Sequence, residues 1–71
     1  MGKITITLNG NKTSITPESS IETLLVELKL NKELIIVELN QSICPKNTFK
    51  TTIIKENDVI EIIRYIGGGK N

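Results

Sequence analysis

Residues 3–30 read KITITLNGNKTSITPESSIETLLVELKL, and the point at which this stretch changes its period decides the fold. In the first half Ile4, Ile6 and Leu8 alternate with Thr5, Thr7 and Asn9, the period-2 pattern of a half-buried strand rich in β-branched residues. Asn9-Gly10 then supplies the positive-φ pair of a type I′ turn, so Lys12 to Ile15 is expected to return as an antiparallel strand. In the second half Ile21, Leu24, Leu25 and Leu28 fall at i, i+3, i+4 and i+7, the apolar stripe of an amphipathic helix. Ser19 followed three residues later by Glu22 fits a capping box at its start, and Pro17-Glu18 suits the approach. A hairpin followed by one helix has to bury both apolar faces against each other.

The remainder supplies the rest of the sheet. ELIIVELN (residues 33–40) is short and β-branched, with Ile35, Val37 and Leu39 on one face, and reads as an interior strand. Asn40-Gln41 is a turn, Ser42 to Cys44 a short strand, and Pro45 ends it for want of an N–H. Residues 45–54 form an irregular loop anchored by Phe49, with a brief extended piece at Thr52 to Ile54. Glu56-Asn57-Asp58 turns the chain into a long final strand, Val59 to Ile66. The expected class is α+β: a roll with one helix packed across a mixed four- or five-stranded sheet. The last strand lies parallel beside the first, reached through the helix-containing crossover. Residues 1–66 make the domain and 67–71 a glycine-rich tail, expected to be mobile.

Composition narrows the function. Seventy-one residues bury only about 60–65% of the surface an unfolded chain exposes, too little for a deep active site. The chain has no histidine or tryptophan and single cysteine, tyrosine and phenylalanine residues, which removes most acid–base and nucleophilic chemistry near neutral pH. Nine basic residues balance eight acidic ones without a basic stripe or stacking aromatics, so a nucleic-acid partner is not expected. The carboxylates Glu18, Glu22, Glu27, Glu33, Glu38, Glu56, Asp58 and Glu61 are scattered singly and make no metal site. Lone Cys44 reads as a small buried hydrophobe in a reducing, cytoplasmic setting, and no apolar run is long enough for a signal peptide or membrane span.

What is left is the end, RYIGGGKN (residues 64–71), where Gly67, Gly68 and Gly69 follow the strand directly. Alone, three glycines read equally as a frayed terminus or as a slim arm. An extended chain from Arg64 to Gly69 spans roughly 17 Å, enough to carry a carboxylate into a narrow channel of another protein. Such a carboxylate, attacking the α-phosphorus of ATP, becomes an acyl-adenylate; the positioning and charge stabilisation that this needs would belong to the partner. Ile36, Ile63 and Tyr65 lie opposite the core-facing positions of two strands. They form either an exposed partner surface near the arm or a second-face contact with the 45–54 loop. Arg64 is a candidate for pairing with an acidic partner groove.

TLNGN at 7–11 within the first hairpin, IETLLVELKL at 21–30, IVELNQSICP at 36–45 and ENDVIEIIRYIGGG at 56–69, in this order and spacing, resemble the ThiS family of ubiquitin-like sulfur carriers and the related MoaD type. The resemblance implies a β-grasp fold and a reacting C-terminal glycine, here Gly69 with Gly68 as its neighbour and Gly67 at the arm's root. It implies activation by a ThiF-type, E1-like adenylyltransferase that supplies ATP and Mg²⁺, conversion to a thiocarboxylate, and consumption of the sulfur by a ThiG-type thiazole synthase. The carrier itself would be a monomer that binds no cofactor and is no enzyme. Lys70 and Asn71 follow Gly69, so that route requires their removal. Other readings are a carrier for molybdopterin or cysteine synthesis, a protein modifier, and a non-catalytic interaction module of the TGS kind.

Overall fold

Asn9 and Gly10 adopt φ of 50° and 85°, and Asn40 and Gln41 adopt 52° and 74°. These left-handed pairs are what two-residue hairpins require, and each closes one. The first joins β1 (Ile4–Leu8) to β2 (Asn11–Ile15), with Leu8 opposite Asn11 and Ile4 opposite Ile15. The second joins β3 (Ile35–Leu39) to β4 (Ser42–Cys44), with Leu39 opposite Ser42. Between the hairpins lies β5 (Val59–Arg64), parallel to β1 through Thr7–Val59 and Leu8–Ile60 and antiparallel to β3 from Ile35–Arg64 to Leu39–Ile60. The result is one five-stranded mixed sheet in the order β2-β1-β5-β3-β4, with the last strand at its centre. The computed structural model describes residues 2–64; the expected end of the last strand at Ile66 and the 66/67 domain limit lie outside them.

One face of the sheet carries the core. Ile6, Ile15, Ile35, Val37, Cys44 and Ile60 meet Ile21, Leu24 and Leu25 of α1 (Ile21–Glu27), and Phe49 and Ile54 of the following loop close the side. Cys44 is buried as expected, its Sγ 3.6 Å from Thr48 Oγ1 and 3.8 Å from Thr52 Oγ1. Phe49 is 1% exposed, the anchor that the loop needs.

The helix start differs from the capping box expected at Ser19 and Glu22. Ser20 is the cap: its Oγ accepts from the Thr23 amide at 3.0 Å and lies 3.0 Å from the Thr23 hydroxyl. Ser19 instead donates its hydroxyl to the Thr16 carbonyl at 2.6 Å, after a left-handed Glu18 at φ 66°. The cause is packing. Ile21, fully buried, must be the first helical residue, and the amides of Ile21 and Glu22 donate to the Thr52 and Phe49 carbonyls. The first-turn amides are therefore satisfied by loop carbonyls at Ile21 and Glu22 and by the Ser20 hydroxyl at Thr23.

The helix also ends at Glu27, so Leu28, the fourth residue of the expected stripe, is its C-cap and 40% exposed. Lys29 takes the left-handed conformation at φ 61°, its amide donating to the Val26 carbonyl, while the Leu30 amide donates to the Leu25 carbonyl. This is a Schellman ending, and it brings Leu30 rather than Leu28 back onto the core.

Candidate functional site

Among the described residues no helix covers the sheet's second face. Along β3 and β5 the side chains alternate, so Ile35, Val37, Ile60 and Ile62 point to α1 while Ile36, Glu38, Val59, Glu61 and Ile63 point away. The register sets Ile36 directly opposite Ile63, two of the three residues expected on this face, at 39% and 46% exposure. Glu38 stands opposite Glu61 on one side and Ile43 of β4, 67% exposed, on the other. Val59, one same-face step along β5, adds a fourth apolar neighbour to the two facing carboxylates, while on the β1 side the register brings polar Thr7 beside Val59, with Lys12 of β2 beyond it.

The alternative in which Ile36 and Ile63 pack against the 45–54 loop does not hold. That loop lies on the helix side, with Phe49 and Ile54 in the core and Ile53 bridged to Ser20 ahead of α1. Arg64 separates from the pair as well: it stands opposite core residue Ile35, so its parity is that of the helix-facing side, although it is exposed. Tyr65 and the glycines Gly67, Gly68 and Gly69 lie outside the described residues. Glu38, Glu61, Ile43 and Val59 were not singled out from the sequence. The period-2 alternation in VIEIIR already sets Val59, Glu61 and Ile63 on one face, but their neighbours follow only from the strand register.

Two asparagines hold the central strand in place. The Asn9 amide donates to the Ile60 carbonyl and its Oδ1 accepts from the Ile62 amide at 2.8 Å, continuing the β1–β5 ladder beyond the point where β1 turns away. Asn40 does the same from the other hairpin: its amide donates to the Val59 carbonyl at 2.7 Å and its Oδ1 accepts from the Val59 amide at 2.8 Å. Asp58 ties down the entry to the strand, accepting from the Asn40 side-chain amide and the Lys55 backbone amide. The strand that leads into residues 65–71 is thus fixed along both edges by backbone and side chain.

One depression open to solvent lies away from this face, lined by Ser20, Glu22, Thr23, Val26 and Lys50, and another lies at the edge of the patch, lined by Asn40, Gln41 and Val59. Among the described residues no three His, Cys, Asp or Glu side chains are grouped to hold a metal ion. No helix among them is long and apolar enough to cross a membrane.

Comparison with known proteins gives consistent results. The ThiS family model matches residues 6–69. The sulfur carrier protein ThiS of Bacillus subtilis is 33% identical over 63 residues, covering 87% of this chain and 96% of that protein. The thiazole synthase of Paramagnetospirillum magneticum is 30% identical over 66 residues; the match takes in 93% of this chain but spans only 20% of the synthase. The crystal structure of ThiS from Geobacter metallireducens superposes with a TM-score of 0.81 at 29% identity, covering 93% of this chain and all of that one, so the roll is a β-grasp. The chain belongs to the ThiS family: it is a sulfur carrier protein of thiamine biosynthesis, and not itself a catalyst.

Proposed function

We propose that the carrier's reacting group is the carboxylate of Gly69, and that it works as a substrate of two enzymes. An E1-like adenylyltransferase, holding ATP and Mg²⁺ in its own site, lets a Gly69 carboxylate oxygen attack the α-phosphorus. Pyrophosphate leaves, and a sulfur nucleophile then displaces AMP from the acyl-adenylate to give the thiocarboxylate. Thiazole synthase takes the sulfur. The carrier's share is presentation: a rigid β5, fixed along both edges, leads into an arm in which glycine leaves no side chain to obstruct a channel.

The observation that carries this reading is that the family match ends at Gly69, five residues beyond the last residue of β5. That places the end of the family pattern within extended reach, roughly 17 Å, of Arg64. The match to one-fifth of a thiazole synthase supports the choice of synthase, because a carrier domain and its consumer on one chain work at high effective concentration. A free, buried Cys44 fits a reducing cytoplasm.

Since Lys70 and Asn71 follow Gly69, the reading requires a processed form. Mass spectrometry of the protein purified from its native cells is expected to reveal a species ending at Gly69, as carboxylate or thiocarboxylate. Protein retaining Lys70-Asn71 throughout, and inert to the adenylating enzyme, would contradict it.

A further inference from the structure

The open face poses a problem of charge. Glu38 and Glu61 are directly opposed on neighbouring strands, where like charges repel, and they are bordered by exposed Ile36, Ile63, Ile43 and Val59, with polar β1 on the remaining side. An acidic pair at the centre of an apolar patch has no folding advantage, and covering it with a purely apolar surface would strand two carboxylates out of water. The same geometry opposes a second copy of the chain seated with its twofold axis on the pair. A twofold contact through this face would crowd four carboxylates together.

Resting on the reading that thiazole synthase docks this carrier, we propose that the open face is the docking surface and that Glu38 and Glu61 jointly grip one arginine of the synthase. That arginine would be set among apolar side chains covering Ile36, Ile63, Ile43 and Val59. A planar guanidinium offers five donors to oxygens on both sides, and arginine is the cation most enriched at interface centres, where lone carboxylates are depleted. The placement fits the carrier's geometry. β5 contributes Val59, Glu61 and Ile63 to the face, and in sequence the glycines begin three residues after its last residue, Arg64, so a partner seated there covers the strand from which they continue.

The test measures binding of the carrier to thiazole synthase at low and at physiological salt, for the wild type, the double variant E38Q/E61Q and Ile63→Asp. Glutamine keeps the shape and removes the repulsion, so the double variant is expected to melt no lower than the wild type by circular dichroism. Wild-type affinity is expected to weaken with salt, the double variant to lose about tenfold or more in affinity together with most of that salt dependence, and Ile63→Asp to bind weakly. Equal affinity of the wild type and E38Q/E61Q, with Ile63→Asp still impaired, would overturn the arginine grip while leaving the carrier–synthase pairing intact. Equal affinity of all three would remove the face from the interface. A carrier dimer disrupted by Ile63→Asp in sedimentation would assign the face to a second copy and overturn the proposal. Absence of wild-type binding would sink both this inference and the partner assignment beneath it.

Discussion

At Lys29 the backbone takes a left-handed conformation that glycine would adopt without strain, and the helix ends there all the same. The two Schellman hydrogen bonds, Lys29 to Val26 and Leu30 to Leu25, offset the steric cost of a Cβ at φ 61°. Lys29→Gly is therefore expected to stabilise the fold by about 0.5–1 kcal/mol, read as a rise in the urea midpoint without a change in slope. A loss of stability would mean that the lysine side chain contributes something the backbone geometry does not show. Asn9 and Asn40 meet the same left-handed requirement with the residue type that tolerates it best, and both put the side-chain carbonyl to use on β5. The choice of asparagine at the first hairpin was legible from Asn9-Gly10. The cross-strand hydrogen bonds were not, because they join residues 53 and 19 positions apart in sequence.

At the scale of elements, the alternation in β1 and the stripe Ile21, Leu24, Leu25 were legible because period alone separates strand from helix. The helix boundaries were legible only to within a turn. Two serines stand side by side, and Glu22 three residues after Ser19 offers a local rule that tertiary packing overrides: burial of Ile21 and the carbonyls of Phe49 and Thr52 select Ser20. Ser20→Ala is expected to cost about 1 kcal/mol in thermal or urea unfolding, whereas Glu22→Gln should change stability by no more than about 0.5 kcal/mol. The reverse order would restore the capping box. Leu28 failed as a core residue for a related reason, since the Schellman ending turns the chain before the stripe's fourth position can reach the sheet.

The whole molecule separates two tasks by face. Its helix-covered side holds the core, including the one cysteine, and its open side leaves Ile36 and Ile63 paired and exposed next to the strand that leads to the glycines. That those two isoleucines face away from the core was legible from the alternation in their strands; that they are paired was not, because it depends on β5 lying beside β3 as well as β1. The carboxylates that face each other one same-face step further along the two strands were not legible either, because scattered acidic residues acquire a neighbour only through register. A domain arranged in this way has no enclosed chemistry to perform among its described residues and a surface to offer, which is what a protein substrate of larger enzymes requires.

The most direct measurement starts from protein ending at Gly69, incubated with its E1-like adenylyltransferase, ATP, Mg²⁺ and a sulfur donor, and read by intact mass. The account predicts a gain equal to one sulfur-for-oxygen exchange, located at Gly69 by fragmentation and absent when Lys70-Asn71 are retained. An unchanged mass with an enzyme shown to be active on another carrier, or an exchange located anywhere but Gly69, would contradict it.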